Sequence, residues 1–99
     1  MKLSKDQTQK ITNYFQGQPV EKAYVFGSHA RESANIKSDI DILVELDHSK
    51  PIGLGFVRMQ LELQEILHKN VDLLSLNAVS KYIRPFVDKD KKLIYERIK

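Results

Sequence analysis

The chain contains no cysteine. That excludes a disulfide framework, a thiolate metal site and a cysteine nucleophile. Nowhere do apolar residues run for the roughly 18–20 positions that a membrane-spanning helix needs. The opening Met-Lys-Leu-Ser-Lys-Asp-Gln-Thr-Gln-Lys holds no apolar core of the kind a signal peptide carries. Also missing are an internal repeat, a low-complexity tract and a linker. The histidines His29, His48 and His68 have no ligand-like spacing. What is present is ordinary for a globular protein: 99 residues, 41% apolar and 29% charged. The expectation is one cytoplasmic domain over residues 1–99, with material for one modest core.

The net charge of +3 is unevenly spread: residues 81–99 hold seven bases against three acids, a local +4 that leaves −1 elsewhere. Such a segment suits nucleic acid, an acidic partner or a triphosphate. It equally suits a solvated helix followed by a lysine-rich edge strand. Tyr82 and Phe86 stand beside these bases, and packing on the core is their expected role, with base stacking as the alternative.

Ser4 and Gln7 form a capping-box pattern ahead of Ile11, Tyr14 and Phe15, which predicts a helix ending near Gly17. Val20 to Phe26 reads as a strand that leaves through a Gly27-Ser28 turn, with a short helix starting at His29. Asp39 to Leu46 reads as an interior strand, because its Ile-Leu-Val content is nearly continuous. From about Gly53 to His68, Phe56, Met59, Leu63, Ile66 and Leu67 mark an amphipathic helix, widened by Val57 and Leu61. Asn70 reads as its stop and Val71 to Leu76 as the third strand. A weaker helix is expected over parts of 78–89, interrupted or started anew at Pro85, and Lys92 to Glu96 reads as the last strand. This alternation indicates an α/β fold: a mixed sheet of about four strands flanked by helices.

Three features carry chemistry. Glycine at a strand end lets the backbone approach an anion, and Ser28 adds a hydroxyl donor beside the start of a helix. Asp39 and Asp41 alternate with isoleucine, so on a strand they share one face. Held about 6.5–7 Å apart, two such carboxylates repel by roughly 2 kcal/mol at an effective dielectric of about 20, which a divalent cation between them would relieve. Oxygen donors of this kind suit Mg²⁺ together with substrate phosphates. Asp72 enters the third strand, and a parallel crossover through the long helix would bring it beside the Asp39/Asp41 pair. Glu45 shares their face but lies about 13 Å further along the strand.

Gly27-Ser28, ten intervening residues, Asp39-x-Asp41 and the later Asp72 resemble the DNA polymerase β-type nucleotidyltransferase superfamily. A chance match to the first two elements in so short a chain is on the order of one in a thousand. The wording Phe-Gly-Ser-x-Ala-Arg followed by Ser-Asp-Ile-Asp-Ile-Leu-Val resembles its minimal nucleotidyltransferases, the antitoxin-type partners of HEPN-domain toxins. The resemblance implies a polymerase β-like core, two Mg²⁺ ions and ATP as substrate. It implies Asp39, Asp41 and Asp72 as catalytic metal ligands, Gly27 and Ser28 on the β/γ-phosphates, and Arg31 at phosphate or a partner. The chain departs from many members at Glu32, which follows that arginine where they have glycine.

The expected function is Mg²⁺-dependent transfer of AMP to a hydroxyl, a tyrosine of a HEPN-type toxin. So small a chain has little room to recognise the acceptor unaided. The alternatives are an antitoxin that neutralises its toxin by binding alone, and nucleic-acid binding through the basic C-terminal segment. No membrane partner is expected.

Overall fold

Ser4 caps the first helix as its spacing with Gln7 predicts. Its Oγ accepts the Gln7 N–H at 3.0 Å, and Gln7 Oε1 accepts the Ser4 N–H at 3.0 Å. The helix that follows is α1, Lys5–Phe15. Asp6 in its first turn complements the positive end of the helix dipole. Ile11 and Phe15, one turn apart, are fully buried. The computed structural model describes residues 3–27, 39–47, 49, 52–82 and 84–97. Ser28, Arg31, Glu32 and the short helix expected from His29 lie outside these.

The strands are β1 (Val20–Phe26), β2 (Ile40–Leu46), β3 (Val71–Ser75) and β4 (Lys92–Glu96). The other helices are α2 (Gly55–Leu67) and α3 (Arg84–Asp90), with a 3₁₀ turn at Leu76–Ala78. One mixed sheet results, in the order β3-β2-β1-β4. β2 pairs with β1 antiparallel and with β3 parallel, and β4 pairs antiparallel with β1. The interior place of β2 follows from apolar residues on both of its faces: Ile40, Ile42 and Val44 on one, Leu43 on the other, all fully buried.

The main core lies on a single face of the sheet. Ile11 and Phe15 of α1 and Met59, Leu63 and Leu67 of α2 cluster there with Ala23, Val25, Ile40, Ile42, Val44, Val71 and Leu73. Leu43 and Val87 are buried outside that cluster. Just after α3, Lys91 Nζ sits 4.8 Å over the Tyr24 ring. Tyr24 pairs with Leu43 and shares its face, so the Lys91 side chain lies over the second face.

Three expectations need correction. Val57 and Leu61 do not widen the buried stripe of α2; they are 54% and 57% exposed. Each lies two positions from Met59, about 200° around the helix axis, and so points away from the sheet. The helix ends at Leu67, within a residue of the expected bound, but the stop signal is His68 rather than Asn70, because His68 takes the left-handed C-cap conformation with φ 54°. Tyr82 packs on no core. It is 76% exposed in the turn before α3, with Lys81 Nζ 5.3 Å from its ring. Among the described residues, no helix is long and apolar enough to cross a membrane.

Candidate active site

The candidate residues gather at the end of the sheet where β1 finishes and the parallel strands β2 and β3 begin. Phe26, the last residue of β1, pairs with Asp41 across the antiparallel ladder. Asp41 in turn stands beside Asp72 in the parallel ladder. Residues in register across neighbouring strands point to the same face. Asp41 and Asp72 therefore share the face opposite the main core, on strands about 4.8 Å apart. Asp39 precedes β2 by one residue, and the strand's alternation directs it to the same side. Asp39 and Asp72 are exposed and Asp41 is half-buried.

Gly27 completes the arrangement. Its φ of 71° belongs to the left-handed region that glycine adopts without steric cost. A Cβ built there would fall on Asp41 Oδ2 and come within 3.3 Å of its Cγ. The Asp41 carboxylate thus occupies space that any other residue at position 27 would fill. The turn needs glycine for its backbone and for its neighbour at once.

Glu45 shares this face at the far end, as expected, away from the carboxylates at the mouth of the sheet. It pairs in register with Lys22, whose ammonium lies 3.5 Å from Glu96. That neighbour's negative charge raises the Lys22 pKa above its ordinary value. At the same end Asp47 and Arg97 meet at 2.7 Å, and Arg97 also donates to the Gln18 carbonyl at 3.0 Å. Polar residues at the two ends therefore do different things. One end is tied by ion pairs, and the other holds carboxylates side by side.

Oxygen donors with an open side suit Mg²⁺, which takes one or two protein carboxylates and fills its remaining positions with phosphate oxygens and water. Asp41 and Asp72 fit that requirement. Among the described residues, no group of three or more carboxylate, imidazole or thiolate side chains is drawn together closely enough to hold a metal by itself. The basic C-terminal segment is partly committed elsewhere. Arg84 and Lys91 pair with Asp88 at 3.6 and 3.1 Å, and Arg97 pairs with Asp47.

Residues 9–99 match the family described as Polymerase beta, Nucleotidyltransferase. The chain belongs to that family. A Methanocaldococcus jannaschii protein, provisionally named a protein adenylyltransferase, is 43% identical over 65 residues, covering 66% of this chain and 69% of the relative. A second from the same organism with the same provisional name is 36% identical over 78 residues, covering 77% and 76%. A solved minimal nucleotidyltransferase, also provisionally named, superposes with a TM-score of 0.74 at 25% identity, over 88% of each chain. A toxin–antitoxin structure with AMP-PNP gives a TM-score of 0.74 at 22% identity, over 96% of this chain and 75% of that one. At that identity the likeness speaks to the fold, which is the polymerase β-like nucleotidyltransferase core expected from the motif. Family membership makes the chain a nucleotidyltransferase.

Proposed function

We propose that the chain is a cytoplasmic Mg²⁺-dependent adenylyltransferase that moves AMP from ATP onto a tyrosine hydroxyl of a HEPN-type toxin, and acts as that toxin's antitoxin. The observation that carries this reading is the register of three strands. It sets Asp41 between Phe26 and Asp72, with Gly27 beneath its carboxylate. The provisional names of the curated relatives support the transfer of AMP to protein. Support for the partner comes from a solved complex of a tri-AMPylated Shewanella oneidensis HEPN toxin with an MNT antitoxin. It shares this fold with a TM-score of 0.65 at 20% identity, over 92% of this chain and 73% of that one.

In this reading Asp39, Asp41 and Asp72 supply the oxygen ligands, and two bound Mg²⁺ ions would neutralise charge on the reacting phosphates. The turn at Gly27 brings backbone close to the β/γ-phosphates, with Ser28 donating its hydroxyl and Arg31 adding charge. The acceptor oxygen attacks the α-phosphorus in line, forming one P–O bond as the bond to the β-phosphate breaks. Pyrophosphate leaves, and the acceptor's proton passes to the Asp72 carboxylate. Positioning and charge supply most of the rate.

The test is incubation of the purified chain with labelled ATP, Mg²⁺ and the HEPN partner, followed by mapping of the label. Label on a tyrosine is expected, and none with Asp39→Asn plus Asp41→Asn. Transfer that survives both substitutions would sink the mechanism. A second reading, neutralisation by binding alone, has one observation behind it: no three-ligand metal cluster forms among the described residues. It predicts that the double variant still silences the toxin at equal expression.

A further inference from the structure

β3 is an edge strand, paired with β2 alone. In a parallel ladder, alternate residues bond the neighbouring strand. The Asn70 carbonyl accepts the Ile40 N–H at 3.0 Å, so the backbone of Asn70, Asp72 and Leu74 faces β2. Val71 and Leu73 therefore turn their N–H groups outward, where an edge strand ordinarily meets water or another chain. Here they meet α2 instead. Gln64 Oε1 accepts the Val71 N–H at 3.1 Å and Gln60 Oε1 accepts the Leu73 N–H at 3.2 Å.

The match is geometric. Four residues along a helix rise about 6 Å, and two residues along a strand advance about 6.6 Å. Because α2 turns back at His68 and runs against β3, its two glutamines fall opposite two outward amides. An apolar residue at either position would cover the sheet as well; glutamine adds an acceptor. The two bonds bracket Asp72, the second residue of β3 and exposed. An unanchored edge frays, and a slip of one residue would turn Asp72 to the opposite face.

We infer that Gln60 and Gln64 are positioning residues: they pin the start of β3 so that Asp72 stays beside Asp41. This rests on the catalytic role proposed for Asp72. The same bonds close this sheet edge to strand addition.

The test compares Gln60→Met plus Gln64→Met, similar in length but without an acceptor, with Gln60→Glu plus Gln64→Glu, which keeps one. Amide exchange is read by NMR, and AMP transfer from labelled ATP is read well below the unfolding temperature. In the methionine pair, exchange at Val71 and Leu73 should quicken while the Leu43 amide, which faces β1 rather than β3, stays protected. Its kcat should fall about tenfold, the range seen when the supports of a metal ligand are removed, with KM for ATP within about twofold. The glutamate pair should recover most of both. If the methionine pair does not fold, each single substitution is read in the same way, at half the bracket. Full kcat in a variant whose two amides exchange freely overturns the inference, as does failure of the glutamate pair to recover. Asp72→Asn is measured alongside. If it transfers at full rate, the reading of the site has failed. If it is inactive while the methionine pair is fully active, only the positioning role has failed.

Discussion

Asp41 Oδ2 sits where a side chain on residue 27 would begin. Gly27 is therefore constrained twice, by its φ of 71° and by the carboxylate against it. The left-handed conformation costs an L-residue about 1–2 kcal/mol, and a methyl group there must push Asp41 aside. Gly27→Ala should lower stability by that amount and AMP transfer by about a hundredfold or more, since a displacement near 1 Å at reacting groups has that effect. Thermal unfolding and a labelled-ATP assay on the same preparation check both. Full activity with the expected loss of stability would show that Asp41 need not stay where the turn places it.

Carboxylates kept for chemistry betray themselves in stability. Asp41 and Asp72 are neighbours in register, and Asp72 is exposed. Neutralising one relieves repulsion and removes no packing. Asp72→Asn is expected to leave stability within about 0.5 kcal/mol of the parent or slightly higher, while transfer falls on the order of a thousandfold. Urea unfolding gives the first quantity and single-turnover transfer the second. A structural aspartate would reverse the pattern, with stability lost and activity kept.

The sequence made the strands and the carboxylate platform legible because both follow from period and local chemistry. Val20–Phe26 and Lys92–Glu96 emerge with their predicted bounds. Asp72 could be set beside Asp41 by requiring α2 to be a crossover between parallel strands. What stayed hidden depends on partners far along the chain. Gln60 and Gln64 look like any polar helix face until β3 lies against them. Tyr14 meets Glu62 across 48 positions, and Arg97 meets Asp47 across 50. Val57 and Leu61 show the opposite error: an apolar residue on a helix need not face the sheet, and hydropathy alone does not choose between nearly opposite sides.

Asp47 should make the fold acid-sensitive. Ser49 donates to its Oδ1 from the hydroxyl at 2.5 Å and from the backbone N–H at 3.0 Å, and Arg97 donates to Oδ2 at 2.7 Å. These donors, Ser49 foremost, hold the carboxyl well below its ordinary 3.8. A folded-state pKa below the unfolded one gives stability that is present above the unfolded value and drains as pH falls through the folded one. The urea midpoint should thus drop as pH is taken from about 5 toward 2. Asp47→Asn should flatten that decline and lower the plateau at neutral pH. An unchanged acid limb would show that other carboxylates carry it.

The link between the two main helices has a pH signature of the opposite sign. Tyr14 donates its hydroxyl to Glu62 Oε1 at 2.6 Å, joining α1 to α2. Burial first, and then this bond to an anionic acceptor, push the phenol's pKa well above its ordinary 10.0. The folded state therefore favours the protonated phenol. Its contribution is complete below about pH 10 and disappears only as pH rises through the higher folded value. Tyr14→Phe keeps the ring, whose centroid lies 5.8 Å from that of Phe15, and removes only the donor. Because Glu62 is half-buried and can recover water, the loss should be about 1 kcal/mol rather than the larger cost of stranding a buried charge. Glu62→Gln leaves an acceptor without the charge and should cost less. A double-mutant cycle separates the bond from other effects of each change, and a coupling of about 0.5–1 kcal/mol between the two sites is expected. Coupling near zero would mean that α1 and α2 are held by their apolar contacts alone.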